Sequence, residues 1–239
     1  MIEKIKNEVK LLIGKNNNGH GFDHVERVYK TALCFAEKEQ AGLQVVALAS
    51  LLHDVDDYKI FGEESALKLF NAKRILKDYH YNDETIDRVC NIIQSMGYSR
   101  YLKGIRPQTL EGKIVSDADM LDAMGAQGIV RAISYAVSSG SNVIFNRDIF
   151  PEKHLSAQSY TDKIRKEDTC INHFFYKLLK LKNLMLTKSG YKEACVRHKI
   201  MVDFLKAYFE EQKCDDWLEY LEVYEADNSQ VPLNIYRIA

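Results

Sequence analysis

His53-Asp54 closes the most apolar stretch of the chain, and two more acids, Asp56 and Asp57, follow at once. From Val45 to Leu52 only Ser50 falls outside Val, Ala and Leu, so these polar groups stand where burial is expected. An ionised carboxylate buried without a partner costs several kcal/mol. Three carboxylates within four residues also repel one another. A divalent cation accounts for both facts. A second histidine, His24, falls on the apolar face of a predicted helix, with Val28, Ala32 and Phe35. A third cluster, Asp117-Ala118-Asp119-Met120-Leu121-Asp122, puts Asp119 and Asp122 on one helix face and Asp117 on another. Two imidazoles and two carboxylates from three helices would make a mixed nitrogen and oxygen site. Such a site suits Mn2+, Co2+, Ni2+ or Fe2+, and suits Mg2+ less well.

Each piece alone has a plainer reading. A histidine on an apolar face is commonly a hydrogen-bonded core residue. Asp56 alone reads as a solvated helix cap, and Asp117 to Asp122 as a charged helix start favoured by the helix dipole. The case rests on their combination.

The elements that must position these groups read as helices throughout. The chain has 239 residues, only three prolines and 12 glycines, so helix breakers are sparse. After a first amphipathic helix and a polar break at 14–21, helices are predicted over 23–39, 45–52, 61–79 and 82–97. Ala47 and Ala49 favour a buried helix over a strand for the apolar run. Residues 98–112 read as a loop. A helix capped by Ser116, or already including Lys113 to Val115, then continues through Ile133, with Gly125 and Gly128 inside it, where each costs about 1 kcal/mol relative to Ala. Residues 138–156 read as irregular, 160–187 and 191–212 as long helices, and 213–239 as an acidic tail. The expectation is an all-α, single-domain helical bundle spanning 1–239.

Composition excludes several functions. The net charge of −1 gives no overall basic field for a nucleic-acid polymer. No apolar run approaches the ~20 residues that span a bilayer. Five cysteines without a CxxC pair fit reduced thiols in a cytoplasmic protein better than a disulfide framework or zinc-thiolate site.

The order His24, His53-Asp54, Asp119 resembles the HD-domain superfamily of metal-dependent phosphohydrolases. The wider match lies in HGFDHVERV (20–28), ALASLLHDVDDYK (47–59), KIVSDADMLDAMGAQGIVRA (113–132), TCINHFFYKLLKLKNLMLTKSGYKEA (169–194) and RHKIMVDFL (197–205). These segments are similar to the small bacterial HD hydrolases that include nucleoside triphosphate pyrophosphohydrolases. The resemblance implies an HD helical domain with further C-terminal helices. It implies that one divalent cation is held by His24, His53, Asp54 and Asp119, with Asp119 preferred to Asp117. It also implies that Asp57 positions or deprotonates the attacking water. Many relatives have Glu at that place, and Asp56 competes for the role.

The remaining candidates come from the residues themselves. His20, four before His24, could donate to the leaving oxygen or be an ordinary loop histidine. His173, Lys177 and Lys180, at i, i+4 and i+7 of a predicted helix, could clamp phosphates with Arg197 or Arg27. Their plainer reading is a solvated basic face. The expected partner is a phosphorylated small molecule, a nucleotide by the resemblance, with neither nucleic-acid polymer nor membrane, and a homodimer is compatible with the chain. Competing activities are a 5'-nucleotidase and a signalling-nucleotide phosphodiesterase. Against the cyclic-dinucleotide branch, Gly97-Tyr98 is followed by Ser99 and lies far from His53-Asp54. A non-catalytic nucleotide sensor is the alternative outside the enzymes.

Overall fold

Helix dominates because apolar residues recur at helical spacing nearly everywhere. A computed structural model describes residues 1–14, 21–138, 143–151 and 169–228, and among them there are twelve α-helices, one 3-10 helix and no strand. The chain divides into two compact units, Met1–Met120 and Leu121–Ala239, and each has its own core.

The first unit forms around α3 (Leu43–Leu52), whose residues Val45 to Leu52 are all buried. A helix apolar on every side must be enclosed. The enclosing faces belong to α1 (Ile2–Ile13), α2 (Phe22–Lys38) and α6 (Asp83–Ser95). Helix α1 buries Ile5, Val9 and Ile13, and α2 buries Val25, Val28, Ala32 and Phe35 beside His24. Asn82 caps α6 by accepting from the Thr85 amide at 2.9 Å.

Several boundaries differ from the sequence expectation. The helix expected over 61–79 is two, α4 (Tyr58–Lys68) and α5 (Phe70–Asp78), parted by Leu69 in the left-handed region (φ 54°), and Gly62 (φ 84°) kinks α4. The 98–112 loop contains a short α7 (Tyr98–Leu102), and α8 (Leu110–Asp122) starts before Ser116. The helix expected to run through Ile133 breaks at Gly125, whose φ of 68° opens α9 (Gly125–Ser138). Gly125 is therefore a turn residue rather than a mid-helix one. Gly128 does lie inside α9, and a Cβ there would meet the Ala123 carbonyl oxygen. The chain tolerates no side chain at that point of the turn.

In the second unit, α10 (Cys170–Tyr176) is followed by η1 (Leu178–Leu184), a 3-10 helix. The break falls at Lys177 (φ −134°, ψ −60°), so the helix expected over 160–187 is interrupted there, and its residues 160–168 lie outside the described ones. Helix α11 (Lys188–Glu211) buries one stripe of Gly190, Ala194, His198, Met201, Leu205 and Phe209. The expected acidic tail begins instead with α12 (Asp215–Asn228), which buries Trp217 and Leu221. Trp217 stacks on Phe150 at 4.4 Å between ring centres and meets Phe145 and Phe209. Its indole N–H donates to the Arg147 carbonyl at 3.0 Å. Most acids of α12 thus face solvent, with half-buried Glu225 paired to His198 at 2.7 Å, while its aromatic side closes a core.

Truncating this anchor leaves a large cavity. Trp217→Ala is expected to cost about 3–5 kcal/mol in urea unfolding. An unchanged midpoint would mean that α12 is an accessory to this unit.

Candidate metal centre

The three sequence segments of the acid and histidine cluster converge inside the first unit. His24 comes from the first turn of α2, His53 and Asp54 from the end of α3, and Asp119 from the last turn but one of α8. The two Nε2 atoms of His24 and His53 are 3.1 Å apart. Asp54 Oδ2 lies 3.5 Å from each of them. Asp119 Oδ1 lies 3.4 Å from His24 Nε2 and 3.9 Å from His53 Nε2.

These separations can be tested against a bound ion. Donors ~2.1 Å from a common centre, at angles from square to tetrahedral, lie about 3.0–3.4 Å apart. The nearer pairs here match that spacing and the farther ones suit a wider angle. The protonation pattern agrees. His53 Nδ1 is 2.8 Å from the Ser50 carbonyl oxygen, which can only accept, so Nδ1 carries the proton. With Nδ1 engaged there, Nε2 is the ring nitrogen turned toward the cluster, the orientation a metal ligand needs. Burial works to raise the Asp119 pKa, but the His24 hydrogen bond and the charges of His53 and His24 outweigh it, and the carboxyl sits below its ordinary value. The donor set fits a divalent cation. His24 and His53 are almost fully enclosed, whereas the Asp119 side chain keeps 25 % of its surface exposed, which gives the cluster an opening.

The other candidates are placed as follows. Asp56 takes no part in the cluster. Its carboxylate accepts from the Ser65 hydroxyl, from the Asn71 amide at 3.0 Å and from the Ala72 amide at 2.9 Å. Those amides belong to the first turn of α5, which has no side-chain cap of its own. Asp56 thereby acts as a remote cap, and this structural task corrects its candidacy as a catalytic base. Asp57 occupies the turn before α4, where its carbonyl accepts from the Ile60 and Phe61 amides. Arg27 is three residues after His24 on α2. His20 lies outside the described residues.

His173, Lys177, Lys180 and Arg197 belong to the second unit. The helical face proposed for the first three is interrupted at Lys177. Burial, then the Lys177 charge, pushes the His173 pKa down to about 3, so this imidazole is neutral and adds no positive charge. Burial also lowers the Lys180 pKa. The Arg197 guanidinium donates to Glu193 at 2.8 Å and to the Leu121 carbonyl at 2.7 Å. Its stem lies against Gly125, where a Cβ would come within 3.1 Å of it. This braces the α8–α9 turn, a structural role instead of the phosphate clamp. Sequence reasoning missed the Ser50 carbonyl that orients His53, because a backbone acceptor leaves no trace in residue type.

With this geometry in hand, the comparisons decide the family. The HD-domain family model matches residues 21–124, a span that includes all four clustered side chains. The uncharacterized protein YpgQ of Bacillus subtilis (strain 168) is 34% identical over 205 residues, covering 85% of this chain and 90% of its own. The chain belongs to the HD-domain family. Solved HD-type structures agree along nearly the whole length. A Lactobacillus plantarum protein superposes with a TM-score of 0.74 at 31% identity, covering 89% of this chain and 96% of that one. An HD-superfamily hydrolase from Bacillus thuringiensis gives 0.69 at 33% identity, with coverages of 89% and 96%. YpgQ, whose crystal structure was determined in complex with ADP, gives 0.67 at 27% identity, with coverages of 88% and 97%. This protein is an HD-superfamily hydrolase with a His/Asp cluster suited to a metal ion. No helix among the described residues is long and apolar enough to cross a membrane.

Two outcomes test the local assignments. Asp56→Ala should lower stability by about 2–3 kcal/mol through orphaned amides while leaving Mn2+ affinity in place, as read by urea unfolding and metal titration. A variant of full stability without activity would return Asp56 to the chemistry. For His173 the sign follows from its depressed pKa. As pH falls below about 6.5 the unfolded chain takes the proton first, so the folded state loses up to about 1.4 kcal/mol per pH unit down to about pH 3. His173→Gln should flatten that part of the stability profile. Parallel profiles for the two proteins would refute the burial argument.

Proposed function

We propose that this HD hydrolase cleaves nucleoside triphosphates to nucleoside monophosphate and pyrophosphate, with one divalent cation held by His24, His53, Asp54 and Asp119. The observation that carries the reading is the convergence of two imidazole nitrogens and two carboxylates at 3.1–3.9 Å on a partly open side of the unit. The ADP complex of YpgQ supports a nucleotide as the substrate class.

A cation bound there supplies Lewis-acid polarisation of a phosphoryl oxygen and makes a nearby water more acidic. The chain's own groups do the rest. The Ser50 carbonyl holds the His53 ring in one orientation and one tautomer. Asp56, locked to α5, fixes the backbone of the turn that carries Asp57. Asp57 accepts the proton of the attacking water, and its short side chain makes that fixation necessary. Arg27, one turn along α2 from His24, balances the charge of the phosphate chain.

The test is an assay with Mn2+ and a panel of ribo- and deoxyribonucleotides that measures phosphate and pyrophosphate separately. Pyrophosphate should be released from triphosphates, be abolished by chelator, and fall by about 100-fold or more in Asp54→Ala. Phosphate release from monophosphates would make the protein a nucleotidase. Nucleotide binding without turnover in saturating metal would make it a sensor.

A further inference from the structure

Between α6 and α8 lies a second set of charged groups. From Gly97 to Leu110 the chain carries Arg100, Lys103 and Arg106 and no acidic residue. Lys103 and Arg106 are exposed and Arg100 is half-buried, and none has an ion-pair partner among the described residues. Unpaired cations usually move freely in water, but these are attached to a braced segment. Tyr98 and Tyr101 stack at 5.9 Å with their rings 17° apart. The Arg106 guanidinium lies over the Tyr101 ring, 4.2 Å from its centre. The next residue, Pro107, is buried against α8, where a Cβ on Gly112 would be 2.9 Å from its ring. Burial, then Tyr101, pushes the Tyr98 phenol up to about 12, so the stack contributes no negative charge to cancel the cations.

The segment also has a definite place in the first unit. Helices α3 and α8 run in the same direction. The Gly42 amide at the start of one donates to Glu111 at the start of the other, and His53 and Asp119 meet at their far ends. Helix α6 follows α8 in the same sense, because Arg88 reaches Glu111 and Ile92 lies beside Gly112 farther along. From Arg88 to Ser95 α6 advances about 10 Å, and from Glu111 to Asp119 α8 advances about 12 Å. The chain therefore leaves α6 toward the end that holds the metal cluster at Gly97 and Tyr98, and by Pro107 it has returned to the first turn of α8.

We infer that Arg100, Lys103 and Arg106 form a preorganised array that binds the phosphate chain of the nucleotide. The inference rests on the nucleotide reading above, and it replaces Lys177, Lys180 and Arg197 as the source of positive charge. The ligand class is a di- or triphosphate, because three cations on one short segment match several phosphate charges better than one. The aromatic stack holds Arg106 in place before binding, which reduces the ordering cost of the contact.

The experiment compares the full-length protein with the triple variant Arg100→Gln/Lys103→Gln/Arg106→Gln. Titrations of Mn2+ and of ADP are run beside nucleoside triphosphate kinetics. Mn2+ affinity should be unchanged, which also reports an intact fold. The Kd for ADP and the KM for triphosphate should rise about tenfold or more, with kcat falling far less. The salt dependence of ADP binding should weaken in the variant. Tyr101→Leu should reproduce part of the loss, and Tyr101→Phe should restore wild-type affinity. Wild-type ADP affinity in the triple variant overturns the inference, as does a wild-type protein that binds no nucleotide. If the wild type binds ADP but turns over no nucleotide, the hydrolase reading fails, and loss of ADP binding in the variant still supports the array.

Discussion

The structure of the first unit is governed by the burial of charge at the end of a wholly apolar helix. Helix α3 is enclosed on every side, and its last turn delivers His53 and Asp54 into surroundings where an isolated carboxylate is costly. Neighbouring elements meet that cost together. Helix α2 brings His24, α8 brings Asp119, and the carbonyl of Ser50 fixes the ring of His53. The same groups that relieve the electrostatic problem also form a metal-binding donor set. Stability and chemistry share one set of side chains here, which is why their approach angles are set by core packing.

The turn after Asp54 shows how support is divided between adjacent acids. Asp56 faces inward and satisfies the exposed amides of α5, and the Asn71 side chain donates to the Val55 carbonyl at 2.9 Å. The turn is thus tied to α5 through both backbone and side chain. Asp57 follows on a backbone with little freedom to move.

Much of this was legible in the sequence. Helical periodicity identified α2, and Ala47 and Ala49 marked the apolar run of α3 as a helix rather than a strand. The order of His24, His53-Asp54 and Asp119 pointed to side chains that the fold brings together, since buried polar residues stand out against an apolar background. Breaks were harder to see. Leu69 adopts a left-handed conformation that no leucine advertises, and Lys177 ends α10 with neither Gly nor Pro beside it. Gly125 was visible, but a glycine at a helix start and one inside a helix look alike in sequence. Asp56 and Arg197 read as chemical candidates because a carboxylate or guanidinium committed to backbone groups has the same residue type as a free one. Only the partners, the Asn71 and Ala72 amides and the Leu121 carbonyl, tell them apart.

Trp217 is the chain's single tryptophan, and it lies fully buried among Phe145, Phe150 and Phe209. The indole emission of this protein therefore comes from one apolar environment in the second unit. It will be blue-shifted in the native state and will shift to the red only when the aromatic cluster comes apart. Tryptophan emission accordingly follows the melting of the unit that starts at Leu121, and the unit that holds His24 and His53 has no tryptophan, so its unfolding must be followed by another signal.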